Sequence, residues 1–128
     1  MKASELMLSD YLFYKGEMRR IKVASITKKK VGYHIKDNEN HMHYARLCDC
    51  KPISITTEIL EKNGWVSMKN GSGDFILASQ MVGNDATVTK TINGYAMLHG
   101  VFNGLSIRYI HELQHALRLC RIEKEIIL

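Results

Sequence analysis

The chain has 128 residues, 45% of them hydrophobic and 24% charged, with three cysteines and a formal net charge of +5. That length suits one compact domain, residues 1–128, or two very small parts sharing a core. No apolar run is long enough to cross a bilayer, which argues against a membrane partner. The opening Met1-Lys2-Ala3-Ser4-Glu5-Leu6 lacks the apolar core and cleavage site of a signal peptide. An odd number of cysteines does not make a secreted disulfide framework, so the expected location is the reducing cytoplasm.

The charge is unevenly placed. Residues 1–51 hold eleven Lys or Arg against six Asp or Glu, whereas residues 52–128 hold seven against seven. The single domain therefore admits a subdivision: a basic β-meander over 1–51 and an α+β part over 52–128. The excess gathers at Arg19, Arg20, Lys22, Lys28, Lys29 and Lys30. Such a cluster attracts phosphate backbones, and it also serves solubility.

In chain order, Asp10 to Tyr14 is a short apolar-aromatic run, and Gly16-Glu17 marks a turn. Residues 20–26 alternate polar and apolar as a half-buried strand does. Lys28 to Lys30 read as an exposed turn. Val31, Tyr33 and Ile35 share one face of the next strand. Asp37-Asn38-Glu39-Asn40 is a turn cluster. His41 to Cys50 reads as a strand with Met42, Tyr44 and Leu47 inward. Short strands at this spacing predict a small meander or barrel.

After Pro52, Thr56 is a good N-cap, Glu58 stands in the first turn and Gly64 is a C′ residue, which predicts a helix over 57–63. Ile59, Leu60 and Trp65 are its apolar partners. Strands follow at 65–69, 74–82, 86–92 and 94–102, broken by Asn70-Gly71-Ser72-Gly73, Gly83-Asn84-Asp85 and the hairpin pair Asn93-Gly94. A helix over 107–121 and a last strand over 125–128 close the chain. The fold class is α+β: an N-terminal small β-meander or barrel, a short capped helix, an antiparallel sheet and a C-terminal helix packed on it.

Pro-Ile-Ser-Ile-Thr-Thr-Glu-Ile-Leu-Glu-Lys-Asn-Gly-Trp at 52–65 resembles a segment of a family of small uncharacterised proteins. These are encoded in Bacteroidetes genomes, their phages and mobile elements. Their versions commonly read P-I-P-L-T-x-E-x-L-x-K-x-G-F, so Ser54 replaces the second Pro and Trp65 the Phe. The opening Glu5 to Tyr11 and the ending Ile110 to His115 with Ile122 to Glu125 are similar too. The resemblance implies no known activity. In that family the place of His115 is often Asn or another polar residue, which implies a structural His-x-Leu-Gln signature at 111–114.

His111-Glu112-x-x-His115 nevertheless spells the H-E-x-x-H pattern of zinc peptidases. Histidines four apart share a helix face, and the Glu between them can serve as general base. A third ligand is the difficulty. Thirteen residues follow His115, with no His or Asp among them; Glu123 and Glu125 are the carboxylates there. On a helical wheel Tyr109, Ile110, Leu113, Ala116, Leu117 and Cys120 form the core arc. His111 and His115 lie opposite with Arg108 and Arg118 beside them, a solvated Arg-His-His-Arg stripe unfriendly to a divalent cation. A second metal candidate is His41-x-His43 with Cys48-x-Cys50, although C-x-C departs from the usual C-x₂₋₄-C of structural zinc. Cys120 falls on the core arc. There is no Gly-rich phosphate loop, no Ser-His-Asp order and no carboxylate cluster.

The expected function is a non-enzymatic binding or accessory protein of phage or mobile-element origin, with no cofactor and a protein or nucleic-acid partner. A zinc hydrolase on His111, Glu112 and His115 is the alternative from another class. The third reading is weak, sequence-tolerant nucleic-acid binding. Its surface would be Arg19, Arg20, Lys22, Lys28, Lys29 and Lys30 with Arg108, His111, His115 and Arg118.

Overall fold

The computed structural model describes residues 1–15, 19–35, 38–67, 74–77, 86–92, 94–99, 102–122 and 124–128. The expected turns at Gly16-Glu17, Asn70 to Gly73 and Gly83 to Asp85, the strand ends at 68–69 and 78–82, and Asp37 and Asn93 lie outside the described residues. The chain divides into two compact units, Met1–Ile53 and Ser54–Leu128, close to the boundary in charge at 51/52. Among the described residues the content is α+β, with antiparallel sheets and two α-helices. No helix among the described residues is long and apolar enough to cross a membrane.

The first unit contains β1 (Tyr11–Tyr14), β2 (Arg19–Lys22), β3 (Ser25–Ile26), β4 (Lys30–Ile35), β5 (Asn38–Arg46) and β6 (Cys50–Pro52). They form two three-stranded sheets, ordered β2-β1-β6 and β3-β4-β5, and among the described residues no closed ladder makes the barrel alternative. The run 20–26, read as one strand, serves both sheets. The Val23 N–H donates to the Asp10 carbonyl and still follows β1, whereas the Ala24 N–H donates to the Gly32 carbonyl and follows β4. Leu12, Ile21 and Cys50 from one sheet join Val31, Tyr33 and Ala45 from the other in a single apolar core with Leu6, Val23 and Leu47.

Two expectations fail in this unit. Asn38 to Asn40 belong to β5 rather than to a turn, with a register shift between His34 and Ile35. The inward face of β5 is also the other one. Val31 pairs with Ala45 and Tyr33 with His43, so Ala45 is buried while Tyr44 is 54% exposed. Directly opposed residues share a face, and the buried Val31 and Tyr33 therefore fix the phase of their partner strand. The larger side chains Met42 and Tyr44 suggested the opposite parity. Leu47 is buried as expected, but in a 3₁₀ turn over Leu47–Asp49.

The second unit opens with α1 (Thr57–Lys62), and its caps are those read from the sequence. The Ile59 N–H donates to Thr56 Oγ1, and Gly64 follows Asn63 at φ +90°. Strands β7 (Val66–Ser67), β8 (Asp74–Leu77), β9 (Ala86–Thr91), β10 (Gly94–His99) and β11 (Phe102–Ile107) make one antiparallel sheet in the order β11-β10-β9-β8-β7. Phe75, Val88 and Met97 stand in register across it and are all buried. Strand β11 takes residues the sequence assigned partly to the helix, so α2 (Ile110–Leu119) starts three residues later than expected. It ends in a Schellman turn: the Ile122 N–H donates to the Leu117 carbonyl, and Arg121 sits at φ +57°, where glycine is usual. Ile110, Leu113, Ala116, Leu117 and Cys120 are buried as predicted, and Tyr109 is half-buried.

The expected last strand is absent among the described residues. Two buried side-chain amides hold the tail instead. Asn63 accepts from the Ile127 N–H and donates to the Ile127 carbonyl and to the Ile59 carbonyl. Gln114 accepts from the Ile126 N–H and donates to the Lys124 carbonyl. Each amide thus offers the tail one donor and one acceptor, as a neighbouring strand would. Asn63→Ala is expected to lower unfolding stability by about 2–4 kcal/mol, because it leaves partly buried backbone groups unsatisfied. Denaturant titration measures the loss, and hydrogen exchange at Ile126 and Ile127 should accelerate in parallel.

Candidate functional site

The H-E-x-x-H segment forms the first half of α2, and each of its residues has a local task. Glu112 Oε1 accepts from the backbone N–H groups of Arg108 and Tyr109, at 3.0 and 3.1 Å. It satisfies donors at the start of the helix, as an acidic N3 residue does in a capping box. A carboxylate held this way is turned toward the backbone rather than toward a water between two histidines. His111 is not on a solvated stripe, as its place on the wheel implied: it is only 6% exposed. Its ring stacks on Tyr109 at 5.8 Å and meets the edge of His115 at 5.7 Å. His115 and Arg118 are half-buried, and Arg108, ahead of the helix, is exposed. The helix is therefore covered on more than its apolar arc. Glu125 is exposed, and Glu123 lies outside the described residues.

The second metal candidate separates in the same way. His43 packs against Tyr33 with ring centroids 5.7 Å apart, whereas His41 is exposed. Cys48 is exposed in the 3₁₀ turn, and Cys50 is buried on the core side of β6. Burial, with Asp49 and Cys48 adding to it, pushes the Cys50 thiol up to about 11. A metal ligand or nucleophile needs the thiolate, which this environment disfavours. Among the described residues no group of three or more His, Cys, Asp or Glu side chains could hold a metal ion.

The basic residues of the first unit give a coherent surface, though not the whole cluster that the sequence suggested. In the sheet β2-β1-β6, Tyr11 opposes Lys22, and Phe13 opposes both Arg20 and Lys51. These five side chains share the face turned away from Leu12, Ile21 and Cys50. Arg20, Lys22 and Lys51 are exposed, and Tyr11 and Phe13 are half-exposed. The Lys22 ammonium lies over the Tyr11 ring, 5.7 Å from its centroid. Arg19 is on the core side at the strand end, where its guanidinium donates to Tyr33 Oη.

Lys28 and Lys29 are exposed on the turn, and Lys30 starts the outer face of β4. There it stands directly opposite Arg46, a like-charge pair that weakens a sheet, and its ammonium covers the Tyr44 ring at 4.4 Å. Arg46 is held to Asp49 at 3.0 Å, which raises its pKa further. A cavity of about 390 Å³ in this unit is lined by Leu8, Ser9, Lys22, Val23, Ala24, His34 and Ile35, so Lys22 borders both the aromatic face and a hollow.

Sequence reasoning missed Tyr11, Phe13, Tyr44 and Lys51, because it assigned the aromatic residues to the core. The signal was present in Tyr11-Leu12-Phe13-Tyr14: with Leu12 inward, its two neighbours face outward.

Two outcomes follow. Cys48 should react quickly with a thiol reagent, whereas Cys50 and Cys120 should react only on unfolding. Because the Cys50 pKa is raised from an ordinary 9.0 to about 11, its neutral form stabilises the fold below pH 9. That contribution is lost as pH rises from 9 through 11, and Cys50→Ala should flatten the decline. Separately, Glu112→Ala should cost about 1 kcal/mol as a lost cap. The melting transitions of both proteins should be indifferent to a chelator; a chelator-sensitive wild type would restore the metal reading.

No family model, curated protein or solved structure matches this chain.

Proposed function

We propose that the chain is a non-enzymatic binding protein that holds nucleic acid on the outer β surface of its first unit. The observation that supports this is the face of sheet β2-β1-β6: Arg20, Lys22 and Lys51 are exposed on it, and no described residue on it is a carboxylate. Three exposed cations on one sheet face are complementary to a phosphate backbone. Lys28 and Lys29, exposed on the turn between β3 and β4 of the same unit, add to its positive charge. The face offers rings and point charges rather than a helix for a groove, so its contacts are sequence-tolerant. The likeness of residues 52–65 to proteins of phages and mobile elements supplies the setting, an accessory protein of such an element.

A mobility-shift titration at two salt concentrations tests this. Each phosphate contact contributes about −0.7 to the slope of log K against log salt on a single strand and about −0.9 on a duplex. Three contacts give an expected slope of about −2 to −3. Arg20→Glu/Lys22→Glu/Lys51→Glu should abolish the shift, and Lys28→Glu/Lys29→Glu/Lys30→Glu should weaken it. No shift at low salt, or one indifferent to salt and to these changes, removes nucleic acid as the partner.

A further inference from the structure

We propose that the β2-β1-β6 face selects single strands, with bases stacked on Tyr11 and Phe13 and phosphates held by Arg20, Lys22 and Lys51. This rests on the nucleic-acid reading above and names the form of nucleic acid bound. Charge alone does not distinguish a strand from a duplex; the rings do. Tyr11 and Phe13 are two residues apart on one strand, and both point outward. Their spacing is about 6.7 Å along the strand, twice the 3.4 Å rise of a stacked duplex strand. Two successive bases can therefore meet the two rings only if they have left their stack. A duplex presents its base edges in the grooves and keeps its base faces sealed, so it has nothing to lay on either ring.

The charges are arranged to accompany such a strand. Lys22 lies across from Tyr11 on β2, and Arg20 and Lys51 flank Phe13 from the two neighbouring strands. Strand spacing sets those cations about 4.8 Å to the side of the rings, within reach of the backbone that carries a stacked base. The Lys22 ammonium now over the Tyr11 ring does not block the site. An exposed cation–π contact is weaker than a base stacked on an aromatic side chain. A base therefore displaces the ammonium from the ring, and the ammonium gains a phosphate.

The structural alternative is that Tyr11 and Phe13 are sheet-surface aromatics kept for their strand propensity. The experiment that separates the two is fluorescence anisotropy with a labelled mixed-sequence DNA strand and with the same strand annealed to its complement, at one low salt concentration. The wild type should bind the free strand at least tenfold more tightly. Tyr11→Leu/Phe13→Leu keeps apolar cover on the sheet and removes both rings. It should weaken single-strand binding by about 30-fold or more, as loss of two stacked bases requires, and change duplex binding less than twofold. Tyr11→Phe should retain single-strand affinity, since the ring and not the hydroxyl does the stacking. Circular dichroism and the unfolding transition establish that each variant is folded; if the double variant does not fold, Phe13→Leu alone carries the test at about fivefold or more.

Equal affinity for strand and duplex, or a folded ring variant that binds the strand like the wild type, overturns the single-strand proposal. It leaves the basic-surface reading standing if Arg20→Glu/Lys22→Glu/Lys51→Glu still abolishes binding. No binding of either probe at low salt overturns both.

Discussion

Leu12 has no exposed surface, and its burial at the centre of the first sheet sets the orientation of everything around it. It pairs with Ile21 on one side and Pro52 on the other, so one side chain fixes the phase of three strands. A one-residue slip of β1 would turn Leu12 outward and carry Tyr11 and Phe13 inward, away from Arg20, Lys22 and Lys51. Burying Leu12 contributes about 2 kcal/mol, which that slip would forfeit. The constraint that stabilises the sheet is therefore the one that displays its basic and aromatic face.

The C-terminal helix illustrates a different economy of residues. His111, Glu112 and Gln114 would each be noted in a search for chemistry, and each is engaged in holding the second unit together. Glu112 closes the start of the helix, Gln114 anchors the tail, and His111 fills a stacked position beside Tyr109. A short motif records which residues are present at which spacing. It does not record which backbone groups need partners, and at the first turn of a helix that need is strong.

Where local rules decide, the sequence was a sufficient guide. Thr56 and Gly64 bound the first helix because a hydroxyl cap and a left-handed residue act within a few positions. Leu113 and Leu117 were placed correctly because a helix repeats its environment every 3.6 residues. Where the answer depends on a partner distant in sequence, the guide failed. The parity of β5 is fixed by Val31 and Tyr33 across the ladder, not by the sizes of Met42 and Tyr44. The helix start moved to Ile110 because β10 recruits residues 102–107 as a partner strand. The half-exposed face was legible in principle, from Leu12 alternating with Tyr11 and Phe13. What was not legible is that β2 and β6 bring Arg20, Lys22 and Lys51 onto the same side, since that depends on two registers.

Asn63 is followed by Gly64, the pair most prone to cyclise to a succinimide, because glycine leaves its own nitrogen unhindered. Folding engages the atoms that this reaction requires. The Asn63 amide is bonded through its oxygen and its nitrogen, and the Gly64 N–H donates to the Glu61 carbonyl. The hydrogen bonds that hold the tail thus also set the chemical lifetime of the residue that makes them. A molecule hydrolysed at this site while unfolded would carry a carboxylate facing the carbonyls of Ile59 and Ile127. Acceptor would then oppose acceptor, and the tail could not be held in the same way again.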